Sequence, residues 1–228
     1  MVIMSRNIGL GKTDPYLAWG GKIRPSEIDE VRQFVYLKPS VSDSAIMNAC
    51  ALGSVTSATG TITSAYPDYP RSLLVTFTET GGTVFDGTVT VVGKNQFGEA
   101  VSETFGVVSL GTSAVAGSKV FNEITAISAV VGSFGTGAVD AKVGFAVGTP
   151  NAKLGLFTKV GAANDVRKVI WNDNGTTKNG TVTVDTTYHA IAPADSIAAA
   201  DDYIVWVSPD YRSDDELIGN MGTSSYVG

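Results

Sequence analysis

Residues 84–105 read VFDGTVTVVGKNQFGEAVSETF. Two β-prone runs flank Lys94, Asn95, Gln96, Phe97 and Gly98, a polar loop closed by glycine, which is the pattern of a hairpin with a four- or five-residue turn. In the first arm Val89 and Val91 alternate with Thr88, Thr90 and Val92, giving one apolar and one mixed face. In the second arm Phe97, Val101 and Phe105 share a face with Glu99 and Glu103, while Ala100, Ser102 and Thr104 take the other. Side chains alternate with period two along a strand, so a slip of one residue would exchange the faces. The stretch predicts a hairpin and leaves its register open.

Outward from the hairpin the chain continues as strands. Residues 72–79 alternate Leu73, Val75 and Phe77 against Thr76 and Thr78, and residues 139–145 alternate Val139, Ala141, Val143 and Phe145 against Asp140, Lys142 and Gly144. Both are half-buried strands by pattern. Phe121, Ile124, Ile127 and Val130 recur every three residues, a spacing that suits a helix as well as a strand. Their β-branched content and Gly132 favour strand. Residues 66–71, YPDYPR, form a stiff aromatic turn ahead of the 72–79 strand. Further strands are expected at 154–158, 166–172, 181–189 and 203–207, with a loop over 172–180 (NDNGTTKNG). Helix is expected over 42–53, where Ser42 or Ser44 caps, Ile46 and Cys50 share a face and Gly53 stops the run. Single helical turns are expected after Ser26 and between Ser213 and Glu216.

Composition agrees. The 228 residues include 26 glycines, are 43% hydrophobic and 17% charged, and carry a net charge of −6. Glycine with abundant threonine and valine indicates many short strands and tight turns. The 16 basic residues are scattered, which argues against a nucleic-acid surface, since phosphate neutralisation requires clustered Lys and Arg. One cysteine, Cys50, excludes an intramolecular disulfide and a Cys-rich zinc site. The first residues lack an apolar run of signal-peptide length, and no window approaches a membrane span.

The fold expected is all-β, a β-sandwich of Ig-like or jelly-roll-like type with an extended N-terminal arm and few short helices. It divides into an arm and short helix over 1–53, a core sandwich over 54–160, and a C-terminal β region over 161–228 that either joins the sandwich or forms a second small domain. In the first part Tyr16, Trp19, Phe34 and Tyr36 lie among Pro15, Pro25 and Pro39 without sustained periodicity. Either they belong to a loop-rich strand pair of the main body, or they are arm residues that dock on a neighbouring subunit. With Asn95 and Gln96 at the hairpin tip, they are the candidate assembly contacts. The pentapeptide GTVTV occurs at 87–91 and 180–184, but its flanks differ, so a duplicated domain is not expected.

Motifs for chemistry fail one by one. Gly9, Gly11, Lys12 and Thr13 resemble part of a phosphate loop, but Arg6 stands where its first glycine belongs and Pro15 interrupts the following helix. His189 has Asp185 and Asp195 nearby in sequence, without a nucleophile-elbow pattern. Asp173, the pair Asp201 and Asp202, and the run Asp214, Asp215, Glu216 lack the spacing of a calcium loop. The sequence therefore points to no catalytic residue, metal or cofactor, and to a non-enzymatic protein.

Tyr69-Pro70-Arg71, the strand after it, the run GTVTVVGKNQFGEAVSET at 87–104, and residues 117–121 with Ile124 and Ile127 together resemble a pattern found in virion structural proteins of tailed bacteriophages. The resemblance covers residues 66–147. In those proteins a β-sandwich carries such a hairpin, and members act as capsid decoration or cement proteins. The resemblance implies a protein made in the host cytoplasm and placed on the capsid exterior. It would bind the major capsid protein across subunit seams as a homo-oligomer, with a trimer favoured, and would contact neither nucleic acid nor membrane. A tail, neck or head-fibre component shares these features, and a cell-surface adhesion or carbohydrate-binding module is the alternative outside the virion.

Overall fold

The hairpin forms, and the structure fixes its register. In the computed structural model, which describes residues 4–6, 31–52, 57–81, 85–109, 112–133, 139–146, 152–194 and 197–208, Val89 stands opposite Phe105 and Lys94 opposite Ala100. Residues 95–99 make the turn. The Asn95 side-chain oxygen accepts the amides of Phe97 and Glu99 at 2.9 and 3.0 Å, and Gly98 takes φ 81°, a conformation glycine adopts without steric cost. Val89, Val91 and Phe105 are buried, while the Thr90 and Thr104 hydroxyls meet at 2.9 Å on the outer face.

The described residues form four packed antiparallel sheets with almost no helix. The first sheet runs β1 (Met4–Arg6), β2 (Val31–Leu37), β16 (Asp202–Val207), β12 (Val166–Asp173) and β13 (Thr176–Asn179). The second runs β3 (Met47–Ala51), β10 (Val139–Phe145), β5 (Leu73–Glu79) and β8 (Ser113–Ala116). The third runs β4 (Ser57–Thr59), β9 (Glu123–Ser133), β6 (Phe85–Lys94) and β7 (Ala100–Ser109). The fourth is β11 (Leu154–Gly155), β15 (Ala190–Pro193) and β14 (Val182–Asp185). Among the described residues a single 3-10 turn, Ala163–Asp165, precedes β12.

Burial separates these sheets into two cores. Val75, Phe77, Ala141 and Val143 of the second sheet meet Val89, Val91, Phe105 and Ile127 of the third. Phe34, Tyr36, Val169, Tyr203 and Val205 of the first sheet meet Leu154 and Ile191 of the fourth, with Leu156 just beyond β11. Each fully buried large apolar side chain contributes about 1.5–3 kcal/mol of transfer free energy, so both cores are substantial. The second core draws on both ends of the described chain, because residues 32–37 of β2 pair with the whole of β16.

The strand expected over 181–189 ends at Asp185, residues 186–189 turn, and the chain returns as β15. Three larger expectations are also corrected. Residues 47–51 are strand β3, not helix. The edge of β10 supplies the backbone partners: the Ile46 and Leu52 amides donate to the Val143 and Val139 carbonyls at 3.0 and 2.7 Å. Ile46 and Cys50, the pair with helical spacing, are both buried because Ile46 lies just ahead of the strand and a bulge in β3 opposite Ala141 and Val143 turns Met47 inward together with Cys50. The same device explains the ambiguous period of Ile124 and Ile127. They sit on strand β9, as expected, and a bulge opposite Val92 and Gly93 buries both. There a Cβ on Gly93 would overlap the Glu123 carbonyl, so the position demands glycine.

The second correction concerns residues 172–180, which are a hairpin and not an open loop. Asn174 and Gly175 take φ 45° and 91°, the two-residue type I′ turn that this dipeptide favours, and Thr176–Asn179 returns as a strand. The third concerns the arm. From residue 31 onward the N-terminal part is no detached arm, since β2 lies between β1 and β16 inside the first sheet, matching the strand-pair alternative. Tyr16 and Trp19, the turn after Ser26, the glycine motif at 9–13 and the Ser213–Glu216 box lie outside the described residues. The two GTVTV copies occupy unlike places, one in the inner strand β6 and one in and before the edge strand β14.

Candidate functional site

The two cores meet at residues 66–71, the aromatic turn. Tyr66 is exposed, and the chain then dives inward to Arg71, which has no exposed surface. The Arg71 backbone bridges Phe121 on the first-core side and Leu154 on the second. Its guanidinium Nη1 donates to the Ser40 carbonyl at 2.9 Å and to Asp68 at 3.0 Å, and Nη2 donates to the Ala146 carbonyl at 3.3 Å. The charge also lies 4.5 Å from the centroid of the Phe145 ring. Burial draws the Arg71 pKa below its ordinary value, opposed by the Asp68 carboxylate. A side chain that reaches three separated segments with a rigid planar fork suits arginine rather than lysine.

The tyrosines complete this side of the joint. The Tyr69 hydroxyl donates to the Leu37 carbonyl at 2.7 Å and accepts the Leu37 amide at 2.8 Å. Tyr36 donates to the Gly155 carbonyl at 2.8 Å, and its ring meets that of Tyr69 edge-on at 5.3 Å. Burial, with the Tyr69 phenol close by, pushes the Tyr36 pKa far up, so this hydroxyl is a fixed donor at any physiological pH. Phe34 and Tyr36 are thus interior to this chain, at 1% and 0% exposure. Side chains buried this deeply offer no surface to a neighbouring subunit.

The tip of the central hairpin closes the other side. Gln96 is buried, and its Nε2 donates to the carbonyls of Tyr188 and His189 at 2.9 and 3.2 Å. Phe97 meets the His189 ring edge-on at 5.4 Å. Asn95 remains on the outside, holding the turn through its side-chain oxygen and donating to Glu99 at 2.7 Å. Gln96 therefore makes a contact, but with residues 188 and 189 of its own chain. Lys153 adds a third strap: its Nζ reaches the Ser118 carbonyl at 2.7 Å and the Asp185 carboxylate at 2.6 Å.

Residues considered for chemistry have structural employment here. His189 adopts φ 49° and places Nδ1 3.2 Å from both the amide and the carbonyl of Val160. Asp185 accepts the Thr187 and Tyr188 amides at 2.9 and 3.0 Å. Burial raises its pKa, but Lys153 and these amides outweigh that and leave the carboxyl below its ordinary value. Cys50 is buried, and burial followed by the charge of Asp140 pushes its thiol up, away from nucleophilic thiolate. Among the described residues no group of three or more His, Cys, Asp or Glu is placed to hold a metal ion, and no helix is long and apolar enough to cross a membrane.

Sequence patterns did not single out Arg71, Asp68 or Lys153 as the joint. The one local signal was an arginine between Pro70 and the apolar run beginning at Leu73, a costly place for a charge without buried partners. The class this geometry defines is an all-β protein of four packed sheets around two cores, locked by a polar joint. Compared with protein-family models and with curated proteins, the chain matches no family and no individual protein.

Proposed function

We propose that this chain is a virion structural protein, a capsid cement or decoration protein that binds the major capsid protein across subunit seams and stabilises the head. The observation that carries the proposal is the position of the resembling residues. Tyr69, Arg71 and the hairpin tip at Gln96 and Phe97 are the pieces that lock the two cores together. The pattern shared with phage virion proteins is therefore a pattern of rigid-body construction, which is what a clamp between capsid subunits requires.

Two further features support the reading. Around the first core the sheets run β3-β10-β5-β8 and β4-β9-β6-β7, so eight successive strands stand in the order first, eighth, third, sixth against second, seventh, fourth, fifth. That order fits a double-sheet jelly roll of two Greek keys, an architecture of viral capsid domains, better than an Ig-like sandwich. The outer face of the third sheet carries Thr59, Ser128, Thr90 and Thr104 in one row and Ala126, Val92 and Ser102 in the next. Uncharged over those rows, it suits close apposition to another protein. Assembly as a trimer on the capsid exterior follows from the same proposal.

The test is reconstitution. Purified protein mixed with capsids that lack it is expected to co-sediment at saturable stoichiometry and to raise the temperature at which the capsids break. Failure to co-sediment overturns the capsid assignment, and binding to purified tails or necks instead would move the protein there.

A further inference from the structure

Beside the first half of β12 the first sheet is left incomplete. Strand β13 pairs with β12 only from Ile170 to Asp173. The Gly180 amide then donates to the Val169 carbonyl at 3.0 Å, and the chain departs into β14 of the other sheet. Residues 166–168 have β16 along one edge and, among the described residues, no strand along the other. The result is an open slot whose lining includes Val166, Val169, Val182 and Val184, all packed on the second core.

The rim of the slot is cationic. Pairing of β12 with β16 skips one residue between Val166 and Lys168, so Arg167 is the extra residue of a bulge. Bulges end regular pairing and re-aim side chains, and here Arg167 and Lys168 both line the slot and are both exposed. None of the ten residues that line it is acidic. The nearest carboxylate in sequence, Asp165, is buried and accepts the Gly161 and Ala162 amides at 2.7 and 3.0 Å. In a chain of net charge −6 this is a local reversal of sign.

We propose that the slot binds an extended segment of a partner protein in which apolar and acidic residues alternate, taken up as a short added strand against residues 166–168. An open backbone edge supplies main-chain hydrogen bonds, and alternate side chains of the guest find different surroundings. One set faces the valine floor and the other meets Arg167 and Lys168. The proposal is independent of the virion assignment, since any partner with such a segment fits.

The probe is the fluorescently labelled heptapeptide acetyl-Asp-Val-Glu-Val-Asp-Val-Glu-amide, read by anisotropy against the full-length protein. It is expected to bind saturably, whereas its counterpart with every acid replaced by lysine does not. R167E/K168E, altered at two exposed positions and expected to keep its native circular dichroism, should weaken binding about ten-fold, the combined scale of two exposed charge pairs. N-methylation of alternate peptide amides should weaken it at least as much, because strand addition needs those donors, and this arm depends on no protein variant. Amide shifts on titration should centre on Arg167 and Gly180. Equal binding of the acidic and basic peptides, indifference to N-methylation, shifts centred elsewhere, or absence of saturable binding would each overturn the proposal.

Discussion

Replacing Arg71 by methionine should loosen the joint between the two cores. The magnitude follows from its partners. Charge-assisted bonds to main-chain carbonyls contribute about 1.5–3 kcal/mol each; the Ser40 bond at 2.9 Å is a good one, and the Ala146 bond at 3.3 Å sits at the weak end. The Phe145 contact at 4.5 Å adds about 1–2 kcal/mol for a desolvated cation. Asp68 keeps 28% of its side-chain surface exposed, so water takes over its carboxylate and the ion pair itself contributes about 1 kcal/mol or less. Against these stands the cost of burying the charge, visible in the lowered pKa and in an Nε with no hydrogen-bond partner, which offsets several kcal/mol. The expected net loss is about 2–3 kcal/mol for Arg71→Met, and about 1–2 kcal/mol more for Arg71→Ala, which also empties the stem's volume. Urea unfolding would be followed by tryptophan emission, dominated in the described structure by Trp171 and Trp206 of the first sheet, and by amide exchange at Val75 and Val89 in the first core. The wild type should show one coincident transition, and the variant two separated ones at lower urea. A methionine variant as stable as the wild type, with coincident transitions, would refute the reasoning, because desolvation would then outweigh everything Arg71 holds.

Further outcomes are expected elsewhere. Gln96→Ala removes the bonds to residues 188 and 189 and should cost about 1–2 kcal/mol, read as a lower urea midpoint with faster exchange at His189. Gly93→Ala forces a Cβ onto the Glu123 carbonyl and should cost about 2 kcal/mol or more as overpacking, measured by thermal unfolding; an unchanged midpoint would mean the bulge in β9 yields freely. Asp185 has a folded pKa below its ordinary 3.8. Its stabilisation is thus complete above that value and is lost as pH falls from 3.8 through the lower folded value. The stability gap between wild type and Asp185→Asn should accordingly be constant at neutral pH and close in acid, and a gap that persists below the folded pKa would contradict the Lys153 pairing.

Local pattern revealed what local forces decide. The hairpin and the strands over 72–79, 139–145 and 203–207 announce themselves because alternation survives wherever a regular strand covers a core. Pattern misled where the ladder is interrupted. The bulge in β3, with Ile46 buried just ahead of it, left Ile46 and Cys50 at a helical spacing, and the one in β9 blurred Ile124 and Ile127 in the same way. At 172–180 the run of polar residues masked a strand, since β13 is exposed at all four positions and so carries no apolar face to betray it. The joint was illegible for a different reason. Gln96 finds its partners 92 and 93 residues away, and Arg71 finds Ala146 at a separation of 75. Nothing in a window of sequence records such pairings. Phe34 and Tyr36 belong to the same case: their aromatic character was legible, but their burial depends on β16, near the other end of the described chain.

The proposal that this rigid two-core body clamps capsid subunits is tested most directly by cryo-EM of the assembled virion carrying the chain. The account predicts density matching the four-sheet body on the capsid exterior, in symmetric clusters that each touch more than one capsid subunit. Density confined to the tail or neck, or virions that lack the protein altogether, would contradict it.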